Sequence, residues 1–88
     1  MLDVRRLHLL REVSIRGSIA AAAKSLNYSP SAISQHITAL EHEVGHKLLA
    51  PKGRGVVLTE PAHRLVEYVE EILLILEKAE STLASVGS

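Results

Sequence analysis

The sequence predicts a mainly α-helical fold of three helices, a short β-hairpin and one long final helix, and three observations support this prediction. The composition is aliphatic, with many Leu, Ile, Val and Ala residues and no Phe or Trp, which favours helices. Two short apolar runs at residues 48–50 and 56–58 flank a turn rich in glycine and cations, as in a hairpin. After residue 59, apolar residues recur with a heptad spacing, which predicts a long helix.

Length and composition also exclude several classes of protein. A chain of 88 residues forms one small domain with a modest core. It contains no cysteine, which excludes disulfides and thiol chemistry, and we expect a cytoplasmic protein. No run of about 18 apolar residues is present, and the first residues lack the apolar stretch of a signal peptide, so we expect no membrane association. No residue pattern indicates a cofactor.

The formal net charge is zero, but charge is unevenly distributed along the chain. Residues 1–56 contain eight Lys or Arg and four Asp or Glu, for a net charge of +4. Residues 57–88 contain two Lys or Arg and six Glu, for a net charge of −4. The opposite charges indicate that the two regions have different functions. The basic region can approach phosphate groups, whereas the acidic region is repelled by them.

The first helix is predicted to run from about Asp3 to Arg16, and Gly17 is a suitable residue to end it. The helical spacing places Leu7, Leu10 and Ser14 on one face, which we expect to be the inner one, with Val13 beside them. Its cations are then expected at the solvent side or near phosphate: Arg5, Arg6 and Arg11.

A short second helix follows, with Ser18 as its N-cap and four consecutive alanines in its first half. Alanine is the best helix former, but it also lets another helix approach closely. Asn27 is predicted to adopt the left-handed backbone conformation that most residues resist. A small residue at Ala23, a turn residue at Asn27 and an aliphatic residue at Ile33 have the spacing of a helix-turn-helix.

The third helix, residues 30–44, has two chemically different faces. Ser29 is its predicted N-cap, Pro30 takes the first helical position, and Gly45 ends it. Apolar residues at helical spacing face the core: Ala32, Ile33, Ile37, Leu40 and Val44. The other face carries short uncharged donors and acceptors: Ser31, Ser34, Gln35 and Thr38. Such a face suits reading base edges in a DNA major groove, and the helix dipole favours nearby phosphate. We expect His36 near DNA as well, where its protonation would favour phosphate binding.

The predicted hairpin has its turn at residues 51–55 and carries two cations there. Two glycines permit a tight backbone, and Lys52 and Arg54 can reach the DNA backbone or minor groove, as the wing of a winged helix-turn-helix does. A solvated basic turn without a partner is the alternative.

The last helix begins after Thr59, the predicted N-cap, and extends for about 25 residues, a rod of roughly 38 Å. Its apolar residues form an unbroken heptad row: Ala62, Leu65, Val69, Ile72, Leu76, Ala79, Leu83 and Val86. Such a row predicts a partner helix, and a dimer is what reading two DNA half-sites requires. The alternative is a helix that folds wholly onto its own domain.

Two other functions compete with DNA binding. His42-Glu43-Val44-Gly45-His46 matches H-E-x-x-H, in which two histidines bind zinc and the glutamate acts as a base. That motif needs an uninterrupted helix, whereas Gly45 is the predicted helix end and no third ligand follows. A coiled-coil interaction module would explain residues 59–86 but not the polar helix face or the basic hairpin. We therefore expect neither enzyme activity nor a bound metal.

Across essentially all 88 residues, the sequence resembles the N-terminal domain of a LysR-type transcriptional regulator. The resemblance rests on a combination of short segments: Gly17-Ser18-Ile19, Ala22-Ala23, Leu26-Asn27-Tyr28-Ser29, Ala32-Ile33-Ser34, Ile37-Thr38-Ala39-Leu40-Glu41, Val44-Gly45, Leu48 and Gly53-Arg54-Gly55-Val56-Val57-Leu58-Thr59. It implies a winged helix-turn-helix over residues 1–58 and a linker helix over residues 59–88 that pairs two subunits.

The resemblance also implies sequence-specific binding of double-stranded DNA, transcriptional control and a nucleoid-associated location. The resulting DNA-contacting set is Ser18, Ser29, Pro30, Ser31, Ser34, Gln35, His36, Thr38, Lys52 and Arg54. The dimerising set is Leu65, Val69, Ile72, Leu76, Ala79 and Leu83. Small-molecule control would come from an effector domain that these residues lack. The alternatives are a truncated form of a longer protein and a stand-alone DNA-binding form, and we expect the former. Full-length assembly as a dimer or a higher oligomer stays open.

The chain departs from the family pattern at four places. Gln35 stands where the family often has Arg, and Pro30-Ser31 stands where it has Gln-Pro, so base preference is expected to differ. Leu49-Ala50-Pro51 replaces a common Phe-Glu-Arg, which predicts a shorter first wing strand. Pro61-Ala62 replaces Ala-Gly, which stiffens the entry to the linker helix.

Overall fold

The computed structural model describes residues 1–87 and contains four helices and one hairpin. In chain order these are α1 (Val4–Arg16), α2 (Ile19–Leu26), α3 (Pro30–Val44), β1 (Leu49–Lys52), β2 (Gly55–Leu58) and α4 (Glu60–Ser85). The first three helices and the hairpin form a winged helix-turn-helix, and α4 is the long final helix. The fold class predicted from the sequence is confirmed.

Local capping sets the helix boundaries. Asp3 accepts a hydrogen bond from the Arg5 N–H at 2.8 Å, which makes Asp3 the N-cap and starts α1 one residue later than predicted. Gly17 ends α1 in the left-handed region at φ 84°, and Asn27 ends α2 there at φ 59°. Both conformations were predicted, and both follow from how little each side chain resists a positive φ. Thr59 caps α4, as expected.

The core lies where α1, α2 and α3 meet. Its largest fully buried side chains are aliphatic: Leu10, Val13, Ile33, Leu40, Leu48 and Val69. Ala22 and Ala23 are buried between the helices, which is the close approach that small side chains permit. The prediction for Ser14 was wrong, because Ser14 is exposed and Leu9 and Glu12 take the inner positions of α1.

The hairpin is tighter than its sequence suggested. β1 and β2 each have four residues and pair antiparallel, from Leu49 opposite Leu58 to Lys52 opposite Gly55. Residues 51, 52 and 55 therefore belong to the strands, and only residues 53–54 form the turn. Leu49, Ala50 and Pro51 all lie in β1, and a first strand shorter than that of the family stays a prediction. Pro51 is tolerated because it lies opposite Val56, whose N–H bonds outside the hairpin.

Helix α4 packs on the domain with its first half and projects with its second. Ala62 and Val69 are buried, and α1 and β2 are the elements it contacts most. From residue 74 onward every described residue is exposed, so the helix does not fold wholly onto its own domain. The projection gives the molecule a long axis of 50 Å against 26 and 19 Å. Within residues 1–87, no helix is both long enough and apolar enough to cross a bilayer.

Candidate nucleic-acid interface

The start of α3 is fixed by its own side chains. The Ser29 hydroxyl oxygen accepts a hydrogen bond from the Ala32 N–H at 3.1 Å and lies 3.3 Å from the Ser31 hydroxyl oxygen. Pro30 occupies the first turn, where an N–H would have no helical partner. The N-terminus of α3 is therefore capped by its own side chains and exposed, and the helix dipole favours an anion beside it.

The outward face of α3 is uncharged and exposed. Ser31, Ser34, Gln35 and Thr38 are all exposed, whereas Ile33, Ile37 and Leu40 on the opposite side are buried. Successive residues lie about 100° apart around a helix, so these two groups cannot share a face. The arrangement presents hydroxyl and amide groups, which can donate and accept hydrogen bonds at base edges.

His36 does not share that face. It lies on the flank of α3 that faces α1, half-buried between Arg6 and Tyr28. The Arg6 Nε atom donates to His36 Nδ1 at 3.5 Å, and the Tyr28 and His36 rings meet edge-on with centroids 6.2 Å apart. The sequence grouped His36 with Gln35, but the structure places it in a contact between helices.

Ser18 occupies the start of α2 in the same way as Ser29 occupies the start of α3. Its hydroxyl oxygen accepts from the Ala21 N–H at 3.1 Å and caps the helix. The preceding turn also contacts the wing, because the Val56 N–H donates to the Gly17 carbonyl oxygen at 3.1 Å. Ser18 thus directly follows the residue that the hairpin contacts.

Half of the cations in residues 1–56 are already paired with carboxylates. The pairs and their N–O distances are Arg6–Glu43 (3.1 Å), Arg11–Glu70 (2.7 Å), Arg16–Glu12 (2.9 Å) and Lys47–Glu41 (3.7 Å). Arg6 and Arg11, which the sequence placed at the solvent side or near phosphate, instead join α1 to α3 and α4.

The remaining cations are available to an external partner. Among the described residues, Lys52 and Arg54 at the wing form no ion pair within 4 Å, and neither do Arg5 and Lys24. All four are exposed. The wing tip therefore offers two free positive charges on a short, tight hairpin.

The buried carboxylate of Glu12 ties α2 to α1. Its Oε1 atom accepts hydrogen bonds from Arg16 Nε and from Ser25 Oγ, each at 2.9 Å. The Arg16 and Ser25 bonds hold the pKa of Glu12 below its usual value, although burial opposes them. The bond to Ser25, near the C-terminal end of α2, fixes α2 against α1.

Sequence reasoning missed two candidate contacts. His42 is exposed and lies seven residues after Gln35, almost in line with it on the outward face of α3. Lys24 is an exposed, unpaired cation on α2 within the described chain. The signal for His42 is helical spacing, since it lies four residues after Thr38 and seven after Gln35.

The H-E-x-x-H segment does not have the geometry of a zinc site. His42 lies in the last turn of α3, but Gly45 adopts a left-handed conformation at φ 72° and ends the helix. His46 therefore lies beyond the helix and off the line of His42. Within residues 1–87, no three His, Cys, Asp or Glu side chains are grouped to hold a metal ion.

The predicted dimerising residues fall into two groups along α4. Val69 is 1% exposed and packs into its own domain, with Leu65 and Ile72 half-buried beside it. In contrast, Leu76 is 46% exposed and Leu83 is 71% exposed, and Ala79 between them is exposed as well. The second group therefore leaves much more apolar surface exposed than the first.

Comparison with protein families gives a match to the bacterial regulatory helix-turn-helix proteins of the LysR family over residues 4–63. The chain belongs to this family. A curated relative, the HTH-type transcriptional regulator GltR of Bacillus subtilis, is 34% identical over 82 residues, which cover 93% of this chain and 28% of GltR. The chain therefore spans about a quarter of the length of the curated relatives it matches.

Two solved structures of LysR-type regulators are similar to the present one. The CbnR_DBD–DNA complex has a TM-score of 0.87 and 30% identity, and the match covers 99% of this chain and 100% of that chain. The full-length regulator LysG of Corynebacterium glutamicum, with bound effector Arg, has a TM-score of 0.87 and 30% identity over 94% of this chain and 28% of LysG. The similarity to CbnR_DBD includes the hairpin and the long helix, since it covers nearly the whole chain.

Proposed function

We propose that this chain binds double-stranded DNA in a sequence-specific manner as a dimer and thereby regulates transcription. Helix α3 enters the major groove, and the wing contacts the backbone or minor groove. The observation that carries the proposal is the outward face of α3, which is polar, uncharged and exposed beside a helix N-terminus. The similarity to CbnR_DBD, solved in complex with DNA, supports it.

Sequence preference comes from the side chains that can reach base edges. Gln35 carries an amide group that can bond adenine in a bidentate manner, and Ser31, Ser34 and Thr38 surround it with hydroxyl groups. His36 contributes through the orientation of α3, since it is held between Arg6 and Tyr28. Ser29 and Pro30 form the start of α3, which is the end of the helix that approaches the DNA major groove.

Phosphate contacts position the domain on the duplex. Lys52 and Arg54 supply charge from the wing, and Ser18 supplies a hydroxyl group at the N-terminus of α2, where the helix dipole favours an anion. The acidic helix α4 stays away from the DNA, because its carboxylates would be repelled.

Two copies pair through α4. The exposed half of the heptad row gives each chain an apolar strip, and at 1.5 Å per residue the 26-residue helix is about 39 Å long. Pairing would cover Leu76, Ala79 and Leu83. It would also set the distance between the two α3 helices, which bind neighbouring DNA half-sites. The buried residues Leu65, Val69 and Ile72 fix the direction in which the helix leaves each domain.

Regulation by a small molecule would depend on a further domain of a longer protein. The full-length LysG structure, of which this chain matches 28%, contains the bound effector Arg, which supports such an arrangement. A protein with this function would act in the cytoplasm, associated with the nucleoid.

A mobility-shift titration tests the proposal. We expect the 88-residue chain to shift random duplex DNA at micromolar concentration in about 50 mM salt, with affinity falling steeply as salt rises. Selection from a random duplex library should then give a site bound at least about 10³-fold more tightly. No shift of any duplex under these conditions would favour a coiled-coil interaction module instead.

A further inference from the structure

The wing is joined to the α1–α2 turn by a backbone hydrogen bond. The Val56 N–H donates to the Gly17 carbonyl oxygen at 3.1 Å. Antiparallel pairing alternates between hydrogen-bonded and non-hydrogen-bonded pairs, and Val56 lies opposite Pro51 next to the pair Lys52–Gly55 that closes the turn. The Val56 N–H therefore points away from β1, and its bond to Gly17 takes nothing from the pairing of β1 and β2. Strand β2 is therefore held on both sides, by β1 on one and by Gly17 on the other.

Gly55 is the residue at which β2 comes closest to that turn. A Cβ atom at this position would fall inside the van der Waals contact distance of the Gly17 carbonyl oxygen and would lie 3.5 Å from the carbonyl carbon. Any side chain there must push β2 away from Gly17. The neighbouring glycine of the turn is different, since a Cβ atom at Gly53 would meet nothing within 4 Å.

This contact lies between two parts of the proposed DNA-binding surface. Gly17 directly precedes Ser18, the N-cap of α2. Gly55 directly follows Arg54 and pairs with Lys52 across the hairpin. The position of the wing cations relative to the start of α2 therefore depends on how closely β2 approaches the turn.

We propose that Gly55 is a positioning residue for DNA binding, and this inference rests on the proposed function. Its missing side chain lets β2 dock on the Gly17 carbonyl group. Docking holds the two wing cations, Lys52 and Arg54, at a fixed position relative to Ser18, so that all three reach phosphates of one duplex together. Gly55 supplies no charge of its own.

The first test is the salt dependence of duplex binding by Gly55→Ala. We expect at least tenfold weaker binding than wild type and a salt slope reduced by about two units, because the displaced wing no longer neutralises two phosphates. The control is Ser14→Ala, an exposed change on α1 outside the proposed DNA-binding surface, which should bind as wild type does.

A double-mutant comparison separates positioning from a general loss of fold. In a Lys52→Ala/Arg54→Ala background, Gly55→Ala should cause no further loss of affinity, because the cations that it positions are gone. An equal loss in both backgrounds would overturn the proposal. Loss of the helical circular dichroism in Gly55→Ala would overturn it as well, since Gly55 would then be needed for folding.

A distance measurement tests the docking without DNA. The chain has no cysteine, so spin labels can be placed by Lys24→Cys and Arg54→Cys. With Gly55 present, we expect a narrow distribution of the distance between the two labels. With Gly55→Ala, we expect a broader or shifted distribution. An unchanged distribution would overturn the inference. If the wild-type chain fails to bind duplex DNA, the proposed function fails, whatever the distance distribution shows.

Discussion

The Arg11 Nε atom lies 2.7 Å from the Glu70 Oε1 atom, and this ion pair joins the first helix to the long helix α4. It links the basic part of the chain to the acidic part and removes one cation from those available to phosphate. Both side chains are partly exposed, so the pair is worth only about 0.2–1 kcal/mol. Apolar packing of the first half of α4, centred on buried Ala62 and Val69, must therefore contribute most of the free energy that holds α4 in place.

We expect a double-mutant cycle with Arg11→Ala and Glu70→Ala to give a coupling energy below about 1 kcal/mol, as is usual for exposed ion pairs. Urea unfolding of the four proteins measures it. The comparison variant is Val69→Ala, which should cost about 2 kcal/mol because it leaves a cavity in the core. A coupling energy larger than the effect of Val69→Ala would contradict the conclusion that apolar packing, and not the ion pair, holds α4 on the domain.

Glu12→Ala should destabilise the fold by about 1–3 kcal/mol at neutral pH, because it leaves the Ser25 hydroxyl and the Arg16 guanidinium without their acceptor. The pKa of Glu12 is lowered in the folded state, so the carboxylate's contribution is complete above the usual pKa of 4.5 and is lost as pH falls through the folded pKa. The difference in unfolding free energy between wild type and Glu12→Ala should shrink accordingly below about pH 4.5.

Chemical denaturation as a function of pH measures that difference. Ser25→Ala is the matched control, since it removes one hydrogen bond and keeps the carboxylate. A Glu12→Ala effect that stayed constant into strongly acidic solution would contradict the ionised state assigned to Glu12.

Gln35→Ala should relax sequence preference and leave non-specific binding nearly intact, because base contacts specify and phosphate contacts position. We expect discrimination against mismatched sites to fall by about 1–3 kcal/mol. Parallel titrations on a selected site and on random duplex DNA measure this. The control is Ser14→Ala, an exposed change on α1 away from the polar face. An equal loss of affinity for the selected site and for random duplex DNA would show that Gln35 does not contact bases.

Lys52→Ala and Arg54→Ala should weaken binding to all sequences and lower the salt slope by about one unit for each phosphate that the wing no longer neutralises. Lys78→Ala is the matched control, because Lys78 is also exposed and forms no ion pair within 4 Å among residues 1–87, but lies on the projecting half of α4. A slope unchanged by the wing variants would place the hairpin outside the interface.

If two chains pair through α4 as proposed, Leu76→Glu should yield monomers, because it places a charge in the exposed half of the heptad row. Sedimentation measures the assembly state, and circular dichroism should show that each monomer stays folded. Ser81→Glu adds the same charge to an exposed position outside the row and should leave the dimer intact. A dimer that persisted with Leu76→Glu would disprove the proposed pairing.

Short stretches of sequence were enough to predict the order and the ends of the helices. Ser18, Ser29 and Thr59 cap their helices through bonds to an N–H three residues later, and Asn27 and Gly45 end theirs by adopting a positive φ. All of these are local effects, so they can be predicted from a few neighbouring residues. The polar face of α3 was predictable for the same reason, because it follows from helical periodicity alone.

Which of these residues remain available to a partner depends on contacts between distant parts of the chain. Arg6 pairs with Glu43 and Arg11 with Glu70, across separations of 37 and 59 residues that no local pattern reveals. Periodicity likewise identifies the heptad row of α4 without saying which half another element covers, and packing against α1 buries Val69 while Leu76 stays exposed. Sequence patterns specify which side chains point together, whereas burial and pairing depend on what the rest of the chain brings against them.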